Sequence, residues 1–84
     1  MKLEKNIKME KQVIFGVYDK TTNCDTYTGY FRHEDDAKKE LVTQMDYVKQ
    51  NEGIQDLKLK NDRVVRESGR QEEIFFIIHP IMLR

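Results

Sequence analysis

Ile74-Phe75-Phe76-Ile77-Ile78 is an unbroken apolar run near the end of the chain, and Val13-Ile14-Phe15-Gly16-Val17-Tyr18 is its counterpart near the start. Neither alternates as a strand with one wet face does. A strand apolar on both sides belongs in the middle of a sheet, so the two runs are expected to be neighbours there. Working outward, residues 19–25 are polar and rich in turn formers, and Thr26-Tyr27-Thr28-Gly29-Tyr30-Phe31 returns with β-branched and aromatic side chains, which predicts a β-hairpin. Leu57-Lys58-Leu59-Lys60 alternates, Asn61-Asp62 suits a two-residue turn, and Arg63-Val64-Val65-Arg66-Glu67 leads back. Ser68-Gly69-Arg70 then turns into the run 74–78. Pro80 cannot donate to a ladder and is expected to end that strand, leaving Ile81-Met82-Leu83 as an apolar tail.

Between the hairpins the period changes. Ala37, Leu41, Met45 and Val48 are spaced by four, four and three, which places them on one stripe of a helix from Glu34 to about Asn51. Glu34, Asp35 and Asp36 suit its positive end, Lys49 suits the other, and Gly53 is placed to terminate it. The expected fold is α+β, β-β-α-β-β-β. Its single antiparallel sheet has the order 2-1-5-4-3, with charged strands at the edges and one helix packed on one face.

The chain is 84 residues long, enough for one domain, taken as 13–84 with residues 1–12 as a charged lead or an early start of the first strand. A chain this short buries little surface, and a partner surface adds stability. Charged residues make up 36%, but 15 basic and 15 acidic side chains cancel, which removes the simplest case for a nucleic-acid or anionic-membrane binder. Cys24 is the only cysteine and cannot form an internal disulfide, which points to a reduced compartment such as the cytoplasm. No stretch has the length and apolarity of a signal sequence or a membrane span.

Gly29-Tyr30-Phe31 followed by Asp35-Asp36-Ala37-Lys38-Lys39 and Leu41 resembles the strand-to-helix junction of small, mostly uncharacterised bacterial and phage β-β-α-β domains. The resemblance spans about a dozen residues, Gly29 to Leu41, and implies an accessory or mobile-element protein without implying an activity. Arg32-His33 stand where those domains place a capping Ser or Thr.

A helix with its side chains is ~10 to 12 Å across and strands lie ~4.8 Å apart, so one helix covers roughly the central pair of strands on one face. Parity assigns Val13, Phe15, Val17, Ile74, Phe76 and Ile78 to the helix. Ile14, Tyr18, Phe75, Ile77 and His79 are left as an uncovered apolar face and are the expected partner or dimer interface. Its occupant is another molecule or the chain's own ends, the N-terminal segment or the 81–83 tail.

Other candidate chemistry is sparse. His33 beside Glu34, Asp35 and Asp36 has the residue types of a metal or acid-base cluster, but consecutive helical residues diverge and acids belong at that end anyway. His79 fits a rim histidine with one ring nitrogen satisfied better than a general base, and Cys24 has no base placed beside it. No phosphate-cradling glycine loop, nucleophile elbow or zinc motif is present, and no cofactor is implied. Lys58, Lys60, Arg63 and Arg66 cluster on one hairpin with the potential to contact phosphates, although that hairpin lacks aromatics for base stacking. The expectation is a non-enzymatic protein-interaction module, most simply a homodimer, acting as an inhibitor or regulator. The alternatives are a nucleic-acid-associated protein using the 58–70 hairpin, or a small nuclease.

Overall fold

The computed structural model describes residues 12–21 and 26–83. Its elements are β1 (Gln12–Asp19), β2 (Thr26–Phe31), α1 (Glu34–Asn51), β3 (Leu57–Leu59), β4 (Arg63–Ser68) and β5 (Gln71–Leu83). The strands form one antiparallel sheet in the order β2-β1-β5-β4-β3, and α1 lies across one face. The two apolar runs are neighbours, paired from Gln12 with Leu83 to Asp19 with Phe76. The Asn61-Asp62 turn closes tightly: the Lys60 N–H donates to the Arg63 carbonyl at 2.8 Å and the Arg63 N–H returns a bond at 3.5 Å.

The helix uses the stripe its spacing predicts. Ala37, Leu41 and Val48 are buried and Met45 packs beside them, against Val17, Val64, Phe76 and Ile78 of the sheet. Its start has no side-chain cap: His33 holds an extended backbone (φ −116, ψ 137) and makes no capping bond, so the acids of the first turn supply the compensation for the exposed N–H groups. At the far end the Glu52 N–H donates to the Val48 carbonyl. Gly53 then takes φ +71, the left-handed conformation that costs glycine nothing.

Two features depart from simple alternation. Val64 pairs with Phe76 but Val65 pairs with Ile74, so Phe75 is an extra residue in β5, a β-bulge. Phe75 is consequently 7% exposed and part of the core under the helix, not of the open face where parity put it. Ile74 moves the other way, since its partner Val65 and the core residue Val64 are consecutive in β4 and point to opposite faces.

The second departure is Pro80, which does not end the strand. β5 continues to Leu83. The Ile78 N–H points toward β4, donating to the Asp62 carbonyl at 2.8 Å. Position 80 therefore aims its missing N–H the same way, beyond the last paired residue of β4, where the ladder loses nothing.

Leu41 is sealed at the centre of this core. Leu41→Ala is expected to lower the free energy of unfolding by about 2 to 5 kcal/mol, read from urea denaturation. Val42→Ala, one residue on but facing solvent, is expected to stay within about 0.5 kcal/mol. Equal losses at the two positions would contradict this packing.

Candidate functional site

The face opposite the helix is built by cross-strand register. On β1 and β5, Ile14 opposes Ile81, Gly16 opposes His79 and Tyr18 opposes Ile77. On β2, Tyr30 opposes Gly16 and Tyr27 opposes Tyr18. Tyr27 and Tyr30 are three apart and would point to opposite faces in a regular strand. The register shift at Thr28 turns both to the same side.

The result is a cluster of rings. Tyr18 stacks on His79 with centroids 5.1 Å apart, Tyr27 stands edge-on to Tyr18 at 5.3 Å, and Tyr30 stacks on Tyr27 at 5.1 Å. The Tyr27 hydroxyl and His79 Nδ1 are 3.1 Å apart, a hydrogen bond that ties β2 to β5 across β1. Such ring pairs are worth about 0.5 to 1.5 kcal/mol beyond their burial. Gly16 makes the cluster possible. A Cβ at that position would lie 2.9 Å from Tyr27 Cδ2 and 3.1 Å from Ile81 Cδ1, so only glycine lets the ring lie down over the strand.

Ile14, Ile77 and Ile81 continue the face as half-buried side chains, and Tyr30 remains 60% exposed at its margin. Of the expected interface residues, Ile14, Tyr18, Ile77 and His79 are brought together here and Phe75 is not. Tyr27, Tyr30 and Ile81 join them unforeseen. Ile81 was legible had Pro80 been read as an edge residue, whereas nothing in the sequence marks the shift at Thr28.

Toward β3 the same face becomes charged. Val65 lies on it yet is fully buried, because its β3 neighbour Lys58 and the reach of Lys60 to Glu67 and Glu72 run across it. Lys58, Lys60, Arg63 and Arg66 each already have a carboxylate. Lys58 bonds Glu67 at 2.8 Å, and Lys60 bonds Glu67 at 3.0 Å and Glu72 at 2.9 Å. Arg63 holds Asp62 at 2.8 Å and Arg66 holds Asp56 at 3.1 Å. Arg66 pairs with Glu73 and Leu57 on the helix side, so the four cations do not share a face.

The two ammonium groups hold the Glu67 carboxyl down to about 2, Lys58 contributing most. Lys60 is raised in turn, first by its bond to Glu72 and then by Glu67. Asp62 is lowered by Arg63.

His33 sits at the exposed start of α1. Among the described residues no group of three or more His, Cys, Asp or Glu side chains is arranged to hold a metal ion. Cys24 and residues 1–11 lie outside the described residues. No described helix is long and apolar enough to cross a membrane. Comparison with protein-family models, with curated proteins and with solved structures finds no match to this chain.

Two outcomes follow from this geometry. Gly16→Ala is expected to push the Tyr27 ring off β1, reducing the near-ultraviolet circular dichroism of the tyrosines while the far-ultraviolet spectrum persists; an unchanged near-ultraviolet signal would contradict the close approach. Glu67 has a folded pKa below its ordinary 4.5, so its contribution is complete above that value and disappears as pH falls toward about 2. The gap in thermal midpoint between wild type and Glu67→Gln should therefore be present at neutral pH and close across that window. A gap that stays constant would mean the ion pairs contribute nothing.

Proposed function

We propose that this protein is a non-enzymatic interaction module that acts by docking the open sheet face onto a protein surface, in the manner of an inhibitor or regulator that works by occupancy. One observation carries it: a contiguous patch of tyrosine rings, isoleucines and a histidine lies on the face that α1 leaves bare. Its composition is that of interface centres, where tyrosine is enriched and isolated charges are scarce. The rings lock one another into position before any partner arrives, which lowers the entropy lost on binding.

The nucleic-acid alternative gains rings that the hairpin alone lacks. It is weakened because Tyr18, Tyr27 and His79 spend their faces or edges on one another, and because Lys58, Lys60, Arg63 and Arg66 are each neutralised by a carboxylate. Phosphates would have to displace those carboxylates.

The test uses the purified chain and its Ile81→Glu and Lys58→Ala variants. Proteins retained from its own cell should be lost with Ile81→Glu and kept with Lys58→Ala. Retention on single-stranded DNA or RNA at low salt that Lys58→Ala weakens and Ile81→Glu spares would overturn the proposal.

A further inference from the structure

Glu67 on β4 and Glu72 on β5 stand directly opposite each other in the ladder. Like charges in that position oppose strand pairing. One ammonium group offsets the repulsion: Lys60 bonds Glu67 at 3.0 Å and Glu72 at 2.9 Å. Lys58 adds a second bond to Glu67 at 2.8 Å. The carboxylates belong to β4 and β5, whereas both cations come from β3 and the residue that follows it. An adverse pair inside the sheet is thus neutralised by the edge strand.

That edge strand has few other attachments. β3 is three residues long and its ladder with β4 has three pairs. Of these residues Leu57 alone is buried, and Leu59 is 46% exposed. Just before β3, Asp56 holds Arg66 at 3.1 Å, again between exposed side chains. Ala37, Leu41 and Val48 meet Val17, Val64, Phe76 and Ile78 without help from β3, so the centre of the core does not depend on it. Two points allow the segment to swing. Gly53 has φ +71 with open space around it, and the Asn61-Asp62 turn lies at the other end.

We infer that β3 is a charge-locked flap: residues 53–62 open as a unit when salt screens Lys60 from Glu67 and Glu72, while the other four strands and α1 stay folded. Exposed ion pairs are individually weak. Lys60 contributes more than one such pair because it gains from two carboxylates and relieves their mutual repulsion. Its lock is also the part of the attachment that salt can reach, since the screening length falls from ~30 Å at 0.01 M to ~3 Å at 1 M, the length of these bonds.

Opening changes the open face of the sheet. Val65 is fully buried beneath the lysine stems of this flap, and its partner in the ladder is Ile74. With the flap away, Val65 joins Ile74 and Ile77 as apolar surface, and β4 becomes the edge strand. The flap therefore sets how far the apolar face extends, whatever docks there.

Native-state hydrogen exchange on the intact chain, at about 0.01 M and about 1 M NaCl, reads opening strand by strand. Amides of the β3–β4 ladder and of Lys60 should exchange about three- to tenfold faster at the higher salt, measured against amides of the β1–β5 ladder as the internal reference. Lys60→Gln should speed the same β3–β4 amides at low salt and reduce their response to salt, with the far-ultraviolet circular dichroism unchanged. In a Glu67→Gln, Glu72→Gln background Lys60→Gln should have little further effect, because its two partners are gone. β3–β4 protection indifferent to salt, β3 and β1–β5 amides responding together, or a Lys60→Gln effect undiminished in the double-glutamine background would overturn the inference.

Discussion

The ladder between β1 and β5 is the interaction on which the rest of the molecule depends. It joins segments from opposite ends of the chain, Gln12 to Leu83 and Asp19 to Phe76, and so unites the N-terminal hairpin with the C-terminal meander. Closing so long a loop costs entropy that no local contact returns, and the return comes from apolar side chains on both faces of the ladder. Under the helix, Val17 and Ile78 meet Leu41 and Val48. On the other side Tyr18, Ile77, His79 and Ile81 assemble. The ring-lined face is thus the reverse of the core, made by the same register.

One helix cannot shield both sides of such a ladder. What the open side has instead is aromatic self-association: the Tyr27 ring lies over Gly16, its hydroxyl meets His79, and Tyr18 stacks on that imidazole. This covers part of the apolar surface and fixes its shape, while Tyr30 and the edges of the isoleucines remain available. On the β3 side, ion-paired lysines cover Val65.

Much of this was legible in the residues. The two unbroken apolar runs required central, adjacent strands, the Ala37-Leu41-Met45-Val48 spacing required one helix face, and alternation with lysines placed β3 at the edge; the order β2-β1-β5-β4-β3 follows from those three facts. What escaped is what period-two counting cannot carry. A bulge at Phe75 sends that side chain into the core, and a register shift at Thr28 brings Tyr27 and Tyr30 to one face. Both are decided by the neighbouring strand and leave no mark on local composition. Pro80 misled for a different reason: its missing N–H forbids a ladder bond only where a strand lies opposite, and β4 does not reach that far.

The central claim is that α1 covers one face of the sheet and that, among the described residues, no element packs over the other. Methyl relaxation by a soluble paramagnetic probe, recorded on the chain dilute enough to be monomeric, tests it most directly. The structure requires strong relaxation at Ile14, Ile77 and Ile81 and protection at Val17, Leu41, Val64 and Ile78. Protection of both sets in the monomer would mean that the second face is already covered by the chain itself, and would contradict the account.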